Sequence, residues 1–216
     1  MAEQTSASEG FESLWPTVFL RRTLPGHELA NQALAAYILD LDRKNRDMTT
    51  DYLGGNLMTD EHPAVAWLRE CVNRTVADYF SHLGMGYPID WSLHGWANVN
   101  RLGDYHDPHN HPHSYLSGTY YVQVPTDRAP LKSRKDARPG AISFYDPRGP
   151  AVNMSAIRVD PYIDPEHTVM PQPGQILLWP AFLLHFVHPN LSETPRISIS
   201  FNVMLKWKDD YLPRQD

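Results

Sequence analysis

Four of the eleven histidines of this 216-residue chain lie between Tyr105 and His113, directly before a predicted strand. Side chains alternate faces in an extended segment, so His109 and His111 are expected to project to the same side. Two imidazoles at that spacing can bind one metal ion. The pattern therefore predicts a metal site with His109 and His111 as two of its ligands.

A third ligand has to come from a distant part of the chain, and His185 is the best candidate. It follows an apolar run from Gln175 to Leu184. An imidazole in such surroundings needs a metal or a hydrogen-bond partner to offset its burial. A hydrogen-bonded core histidine is the alternative interpretation of this position.

A strictly alternating strand begins at Arg196. Its two faces are the polar set Arg196, Ser198, Ser200 and Asn202 and the apolar set Ile197, Ile199, Phe201 and Val203. A polar strand face inside a small barrel lines a cavity. The planar guanidinium of a buried arginine there matches a carboxylate in two-point contact. An anionic ligand and a structural salt bridge to Asp or Glu are the two interpretations that stay open.

Two helices are predicted before the strands that carry these residues. Apolar residues at steps of three and four predict a first helix from Pro25, with a buried face made of Leu29, Ala33, Ala36, Tyr37 and Leu41. A second helix is predicted after Asp60, with Pro63 in its first turn and Gly84 at its end. Its predicted stripe consists of Val65, Leu68, Val72, Val76, Tyr79 and Leu83.

After Pro88 the chain changes to short β-branched and aromatic runs separated by turn residues. The predicted strands are Leu93 to Asn100, Tyr115 to Val124, Ala141 to Tyr145, Gln175 to Trp179 and Arg196 to Leu205. Helices followed by strands, without βαβ alternation, favour an antiparallel sandwich or jelly roll with the helices on one side. We expect one domain over residues 1–216, with a flexible segment 1–12, helical support over 25–84 and a β core over 91–207.

Composition disfavours several classes of protein. A net charge of -6 disfavours broad binding to nucleic acid or to an anionic membrane. No segment approaches the roughly 20 apolar residues of a membrane span. The single cysteine, Cys71, has no partner for an internal disulfide, and the N-terminus lacks the features of a signal peptide. These features predict a protein of the reducing cytoplasm, and they leave its oligomeric state open, a homo-oligomer included.

Five segments carry a resemblance to a known family. They are ANVNRLG from Ala97, HNHPHSYLSGTYYVQVP from His109, GAISFYDPR from Gly140, PGQILLWPAFLLHFVHPN from Pro173 and PRISISFNV from Pro195. In order and spacing they resemble the iron(II)- and 2-oxoglutarate-dependent oxygenases, in particular the prolyl-hydroxylase-like branch and its small bacterial and phage members. The resemblance spans about Trp96 to Val203.

This resemblance implies a fold and an activity. The fold is a double-stranded β-helix, the jelly roll that cupins share, here with N-terminal helices. The activity is that of a hydroxylase-type dioxygenase that uses Fe(II), 2-oxoglutarate, O2 and a primary substrate that the sequence does not identify.

The resemblance also implies roles for individual residues, and none of these is catalytic beyond binding the metal. His109, His111 and His185 occupy the positions of the metal ligands. Arg196, eleven residues after His185, and Ser198 occupy the positions that contact the far carboxylate of 2-oxoglutarate. Tyr121 matches the tyrosine whose hydroxyl assists that contact.

One position departs from the family pattern, because the second metal ligand is usually an aspartate and here it is His111. Either three neutral imidazoles hold the metal, or a nearby carboxylate such as Asp107 or Asp104 replaces His111. We favour three histidines, and we expect the side chain of Asp107 to point away from His109.

Two other functional interpretations compete with the oxygenase. A cupin-like metalloprotein would use the same three histidines without 2-oxoglutarate, and Arg196 and Ser198 argue against it. A non-catalytic module of the same fold would need neither metal nor co-substrate.

The remaining expectations concern the surroundings of the site. Residues 127–138 are predicted to form a basic surface loop, and residues 147–173 a lid over the barrel mouth. Several side chains are expected nearby as hydrogen-bond partners (His106, His113, His188) or as cavity residues (Asn98, Asn100, Asn202). The tryptophans Trp91, Trp96 and Trp179 are expected in the core.

Overall fold

A computed structural model of the protein describes residues 15–45, 49, 54–86, 88–127, 137–148 and 165–206. Its strands form two antiparallel sheets. The strands are β1 Leu20–Thr23, β2 Asp90–Asn100, β3 His106–His109, β4 Leu116–Gln123, β5 Ile142–Tyr145, β6 Glu166–Val169, β7 Gln175–Pro180, β8 His185–Val187 and β9 Arg196–Lys206. The larger sheet has the order β1-β7-β4-β9-β2, and the smaller sheet has the order β3-β8-β5-β6.

The two predicted helices are confirmed as α1, His27–Lys44, and α2, Pro63–His82. Pro63 opens α2, where its missing N–H costs nothing, and the Nδ1 atom of His62 accepts a hydrogen bond from the N–H of Ala64 at 3.3 Å. Gly84 follows the helix with a φ of 74°, a left-handed conformation that glycine adopts without strain. A short 3-10 helix, Leu57–Thr59, lies between α1 and α2.

The predicted buried face of α1 is partly wrong, although the helix itself is confirmed: Tyr37 and Leu41 are half-buried against the core, and the other three residues are exposed. Leu29 is 79% exposed, and Ala33 and Ala36 are exposed as well. The fully buried positions are Leu34, Ile38 and Asp42, one turn apart. The buried stripe ends in Asp42, whose carboxylate pairs with Arg101. Ala33 and Ala36 count as apolar in a sequence pattern, but they lie on the neighbouring, exposed face of the helix.

Most of the hydrophobic core lies between the helices and the larger sheet. The apolar face of β9, made of Ile197, Ile199, Phe201 and Val203, packs in this layer, as predicted. A second cluster, which includes Phe144, Val169, Leu177 and Trp179, lies between the two sheets. The polar face of β9 is thereby left to line the space between the sheets.

All five predicted strands are present, with ends that differ by up to three residues. Four strands were not predicted: β1, β3, β6 and β8, each of which has only three or four residues. The strand β3 contains Pro108, which sheets accept at edges, and β3 is the edge strand of the smaller sheet.

The predicted lid is partly wrong. Residues 166–169 form β6, which pairs with β5 in the smaller sheet. Residues 149–164 lie outside the described residues, as do most of the predicted basic loop (128–136) and the N-terminal segment 1–12. The assignment of the whole chain to one domain stays a prediction.

Candidate metal and co-substrate site

The three histidines singled out in the sequence meet between the two sheets. His109 and His185 are directly paired residues of the antiparallel strands β3 and β8. His111 lies two residues beyond β3, where its N–H donates to the carbonyl oxygen of Ala181 at 3.0 Å. The imidazole centroids are 4.3 Å apart for His109 and His185 and 5.2 Å apart for each pair that includes His111. One potential ligand atom from each ring lies within 4.8 Å of the other two.

Backbone carbonyls orient two of these rings. The Nδ1 atom of His109 is 2.6 Å from the carbonyl oxygen of Asp107, and that of His185 is 2.9 Å from the carbonyl oxygen of Leu183. A carbonyl oxygen only accepts, so in each ring Nδ1 carries the proton. The Nε2 lone pairs of His109 and His185 are therefore the ones available to a metal.

Two of the three imidazoles, those of His111 and His185, are held neutral by their surroundings. Burial, followed by the neighbouring His109, lowers the pKa of His185 to about 3. The same two causes lower the pKa of His111 to about 4. Because a metal binds the neutral imidazole, these groups need not release a proton at neutral pH before they act as ligands.

Neither of the carboxylates considered as replacements for His111 joins the cluster. The side chain of Asp107 is exposed, although a regular strand would place it on the same face as His109 two residues later. The pairing of β3 with β8 shifts in register between His106 and His109, so this segment does not alternate regularly. Asp104 is exposed too, and its Oδ2 atom accepts a hydrogen bond from the N–H of Arg101 at 2.7 Å. Within the described residues, the group able to hold a metal consists of His109, His111 and His185.

The opposite wall of the site belongs to the larger sheet. Ser198 pairs with Tyr121 of β4 on one side and with Asn98 of β2 on the other. Ser200 in the next row pairs with Thr119 and Trp96. Arg196 lies at the start of β9, paired with Asn100. Strand alternation directs all of these side chains away from the helices, into the space that the histidines face.

A cavity of about 440 Å³, part of it open to solvent, joins the two walls. Its lining includes the three histidines as well as Tyr121, Arg196 and Ser198, and none of the lining residues that the structure describes is Asp or Glu. Arg196 is only 2% exposed, and its Nη2 atom donates to Oδ1 of Asn100 at 2.9 Å. The cavity therefore holds a buried positive charge without an acidic side chain in its described lining.

Tyr121 faces the cavity, whereas its neighbour Tyr120 faces the helices. Burial raises the pKa of Tyr121, and the positive charge of Arg196 acts in the opposite direction. The hydroxyl of Tyr120 donates to Oδ1 of Asn31 at 2.5 Å, on the other side of the sheet. Of the two tyrosines, Tyr121 is the one whose side chain reaches the cavity, and its contact with 2-oxoglutarate stays a prediction.

Several expectations about the surroundings need correction. Trp96 lines the cavity, with its ring 5.8 Å from that of His111, and is not a core residue. His113 is exposed, and His188 bonds to the hydroxyl of Ser143 at 2.8 Å instead of to a metal ligand. His106 and Asn98 do line the cavity, as expected. Asn202 accepts a hydrogen bond from Ser117 at 2.8 Å and is not among the lining residues.

Thr119 lines the cavity but was not predicted to do so, whereas Ser200 belongs to the polar face of β9 that was expected to line a cavity. Thr119 was accessible in principle, since it is two residues from Tyr121. In a strand, that spacing places side chains on the same face.

Comparison with known proteins agrees with this fold. The model of the family described as "Putative 2OG-Fe(II) oxygenase" matches residues 94–202, half of the chain. The chain belongs to this family of iron(II)- and 2-oxoglutarate-dependent oxygenases. A comparison with curated protein sequences gave no significant match.

Solved structures with the same fold are distant in sequence. A prolyl-4-hydroxylase from Pseudomonas putida is 15% identical with a TM-score of 0.54, and the alignment covers 88% of each chain. A prolyl hydroxylase from Trichoplax adhaerens, solved with a peptide fragment of hypoxia inducible factor, is 14% identical with a TM-score of 0.55 (86% of this chain, 83% of that one). AviO1 from Streptomyces viridochromogenes Tue57 is 13% identical with a TM-score of 0.54, and 93% of each chain is covered.

These findings confirm the double-stranded β-helix and the class of enzyme, an oxidoreductase that uses Fe(II) and 2-oxoglutarate. They favour the oxygenase over the cupin-like alternative. The closer relation to small bacterial and phage members stays a prediction. Within the described residues, no helix combines the length and the apolar composition that a bilayer span requires.

Proposed function

We propose that the chain oxidises a C–H bond of its substrate at a metal held by His109, His111 and His185, with 2-oxoglutarate anchored by Arg196, Ser198 and Tyr121. The observation that carries this proposal is the composition of one cavity. It combines a cluster of three imidazoles on one wall with a buried guanidinium on the other.

The imidazole cluster fits iron(II). Imidazole nitrogen is a common ligand of iron and its neighbours in the first transition series. Two of the three rings already have their Nε2 lone pairs available, and burial keeps His111 and His185 uncharged. The three ligand atoms are close enough for one ion to reach all of them.

The opposite wall fits a dicarboxylate. Arg196 is a cation at every accessible pH, and its planar fork matches a carboxylate. The hydroxyls of Ser198 and Tyr121 are in paired positions on adjacent strands beside it. Three imidazole ligands add no negative charge of their own, and a dicarboxylate would offer one carboxylate to the metal and the other to Arg196.

Iron(II) and 2-oxoglutarate, when bound, supply an oxidation by O2 in which one oxygen atom enters the substrate and the other enters succinate, with release of CO2. The protein contributes the placement of these groups. The histidines would hold the metal between the sheets, and Arg196 would fix the far end of the co-substrate. The apolar cluster between the sheets shares Tyr121, Ile142 and Trp179 with the cavity lining and would limit water there.

The primary substrate is proposed to contact the remaining wall of the cavity, formed by Trp96, Asn98, Thr119 and Ser200. The indole of Trp96 offers an apolar surface next to His111. The Oδ1 atom of Asn98 is buried and has no hydrogen-bond partner among the described residues, so it can accept from a substrate N–H or O–H group.

We also infer a reducing cytoplasmic setting from the single cysteine.

The test is succinate formation from 2-oxoglutarate and O2 by the iron(II)-loaded protein, without added primary substrate. We expect slow turnover that is lost in His185→Ala and in Arg196→Ala. His113→Ala is the matched control, because it removes an exposed histidine of the same segment and should retain turnover. Wild-type protein that binds metal but neither binds nor consumes 2-oxoglutarate would contradict the proposal.

A further inference from the structure

Asn100, the last residue of β2, lies between the two halves of the proposed site. It is 1% exposed and is the direct strand partner of Arg196. Its Oδ1 atom accepts from Nη2 of Arg196 at 2.9 Å, and its Nδ2 atom is 3.1 Å from Nε2 of His106. His106 begins β3, the strand that ends in His109.

The chemistry of the partners fixes the orientation of this amide. A guanidinium only donates hydrogen bonds, so the oxygen of Asn100 must face Arg196. The amide nitrogen therefore donates to Nε2 of His106, which leaves the ring proton of a neutral His106 on Nδ1. Burial is the main cause that lowers the pKa of His106 to about 4, in agreement with a neutral ring.

The backbone of Asn100 is held from a second side. The Nδ2 atom of Asn190, a residue that is 2% exposed, donates to the carbonyl oxygens of Asn100 and Thr194 at 3.0 Å each. Thr194 is two residues before Arg196. Asn190 thus ties the end of β2 to the start of β9, so both the side chain and the backbone of Asn100 are fixed relative to Arg196.

We propose that Asn100 is a positioning residue that holds the guanidinium of Arg196 at the base of the cavity without neutralising its charge. This inference rests on the proposed function, in which Arg196 anchors 2-oxoglutarate. An aspartate at position 100 would orient the guanidinium of Arg196 equally well, but its negative charge would form a salt bridge with it. It would then compete with the carboxylate of the co-substrate.

The hydrogen bond to His106 adds a second connection. Through it, the amide links the co-substrate arginine to the strand that presents His109, one of the proposed metal ligands. Asn100 contacts neither the metal nor the substrate in this arrangement, so its influence is expected on co-substrate affinity and not on the metal.

The experiment is calorimetric titration of 2-oxoglutarate into Mn(II)-saturated protein without oxygen, with a separate titration of Mn(II) alone. The variants are Asn100→Asp and Asn100→Leu. We expect both to bind 2-oxoglutarate at least about tenfold more weakly, as for the loss of a hydrogen bond to a charged group. We expect the Mn(II) affinity of both variants to stay within about threefold of wild type, because the described side-chain hydrogen bonds of Asn100 involve none of the three histidines. A lost hydrogen bond to a metal ligand typically costs about 10- to 100-fold.

Asn73→Leu is the matched control for a purely structural effect. The Oδ1 atom of Asn73 on α2 accepts from Nε1 of Trp91 at 2.9 Å, far along the chain from Arg196. This variant should lower the melting temperature and leave the affinity for 2-oxoglutarate unchanged. If Asn100→Leu fails to fold, Asn100→Asp, which retains size and polarity, decides the question.

The outcomes separate this inference from the function on which it rests. Wild-type protein that binds Mn(II) but not 2-oxoglutarate would overturn the proposed function and the role of Asn100 together. Normal co-substrate affinity in the Asn100 variants, beside a binding wild type, would overturn only the role of Asn100. An equal loss of affinity in Asn73→Leu, or a loss of Mn(II) binding in Asn100→Asp, would also overturn it.

Discussion

The three clustered histidines differ in how the surrounding chain holds them. His109 and His185 each donate Nδ1–H to a carbonyl oxygen two residues earlier, whereas His111 is placed through its backbone N–H. Two rings are thus oriented by local hydrogen bonds, and the third depends on the connection between β7 and β8. His185 is the most buried of the three. We therefore expect its replacement to weaken metal binding more than replacement of the other two proposed ligands.

Replacement of His185 by alanine should weaken Mn(II) binding by more than about 100-fold. Residues that merely hydrogen-bond to metal ligands contribute about 10- to 100-fold, and removal of a ligand should exceed that. Titration of the metal-free protein with Mn(II) measures the effect, with His113→Ala as the control that should bind normally. An unchanged affinity in His185→Ala would exclude this residue as a ligand.

Residue-level chemistry was the part of the site most accessible from sequence. The spacing of His109 and His111, the isolation of His185 and the alternation after Arg196 each have a direct physical meaning. The hydrogen bonds of Asn100 were not accessible, because they depend on the register of β2 against β9 and on the position of β3. Trp96 was misassigned because an aromatic residue in a strand can face either a core or a cavity.

At the level of elements, β4 has to pass close to β9 and β7 in order to present Tyr121 to the cavity. Gly118 permits this approach. A Cβ atom at that position would lie 2.3 Å from Cζ of Phe201 and 2.7 Å from the carbonyl oxygen of Leu177. The second of these contacts is with backbone, which cannot move without displacing β7.

Gly118→Ala should therefore destabilise the fold by about 1–3 kcal/mol, the usual cost of an overpacked core. Urea unfolding measures the change in free energy. Gly86→Ala serves as the control, because a Cβ atom there meets nothing within 4 Å, and it should be close to neutral. A stability of Gly118→Ala equal to that of wild type would show that the sheet can open at this point.

Elements with strong periodicity were predicted well, and short ones were not. The helix α2 follows from Pro63, its apolar stripe and Gly84. The strands β3 and β8 escaped detection because four and three residues cannot display a period, yet they pair to bring His109 next to His185. Tertiary pairing and not local propensity defines them.

For the whole molecule, the buried imidazoles link stability to pH in the metal-free state. Burial is the largest cause that lowers the pKa of His185 to about 3 and those of His106 and His111 to about 4, against an ordinary value of 6.5. Above pH 6.5 both the folded and the unfolded chain carry neutral rings. Below it the unfolded chain takes up protons first, so stability falls until the folded rings titrate as well.

The metal-free protein should thus lose stability as the pH falls from 6.5 towards 4, by roughly 1.4 kcal/mol per pH unit for each such histidine. Urea unfolding across this range measures the slope. The variant His185→Gln removes one of these groups and should have a shallower slope. A stability that is independent of pH between 6.5 and 4 would contradict neutral burial of the rings.

The most direct test of the proposed site is a crystal structure of the protein with Mn(II) and 2-oxoglutarate, grown without oxygen. We expect one metal ion bound by nitrogen atoms of His109, His111 and His185, with the far carboxylate of 2-oxoglutarate on Arg196, Ser198 and Tyr121. A metal bound by Asp107 or Asp104 in place of His111, or 2-oxoglutarate away from Arg196, would contradict this assignment.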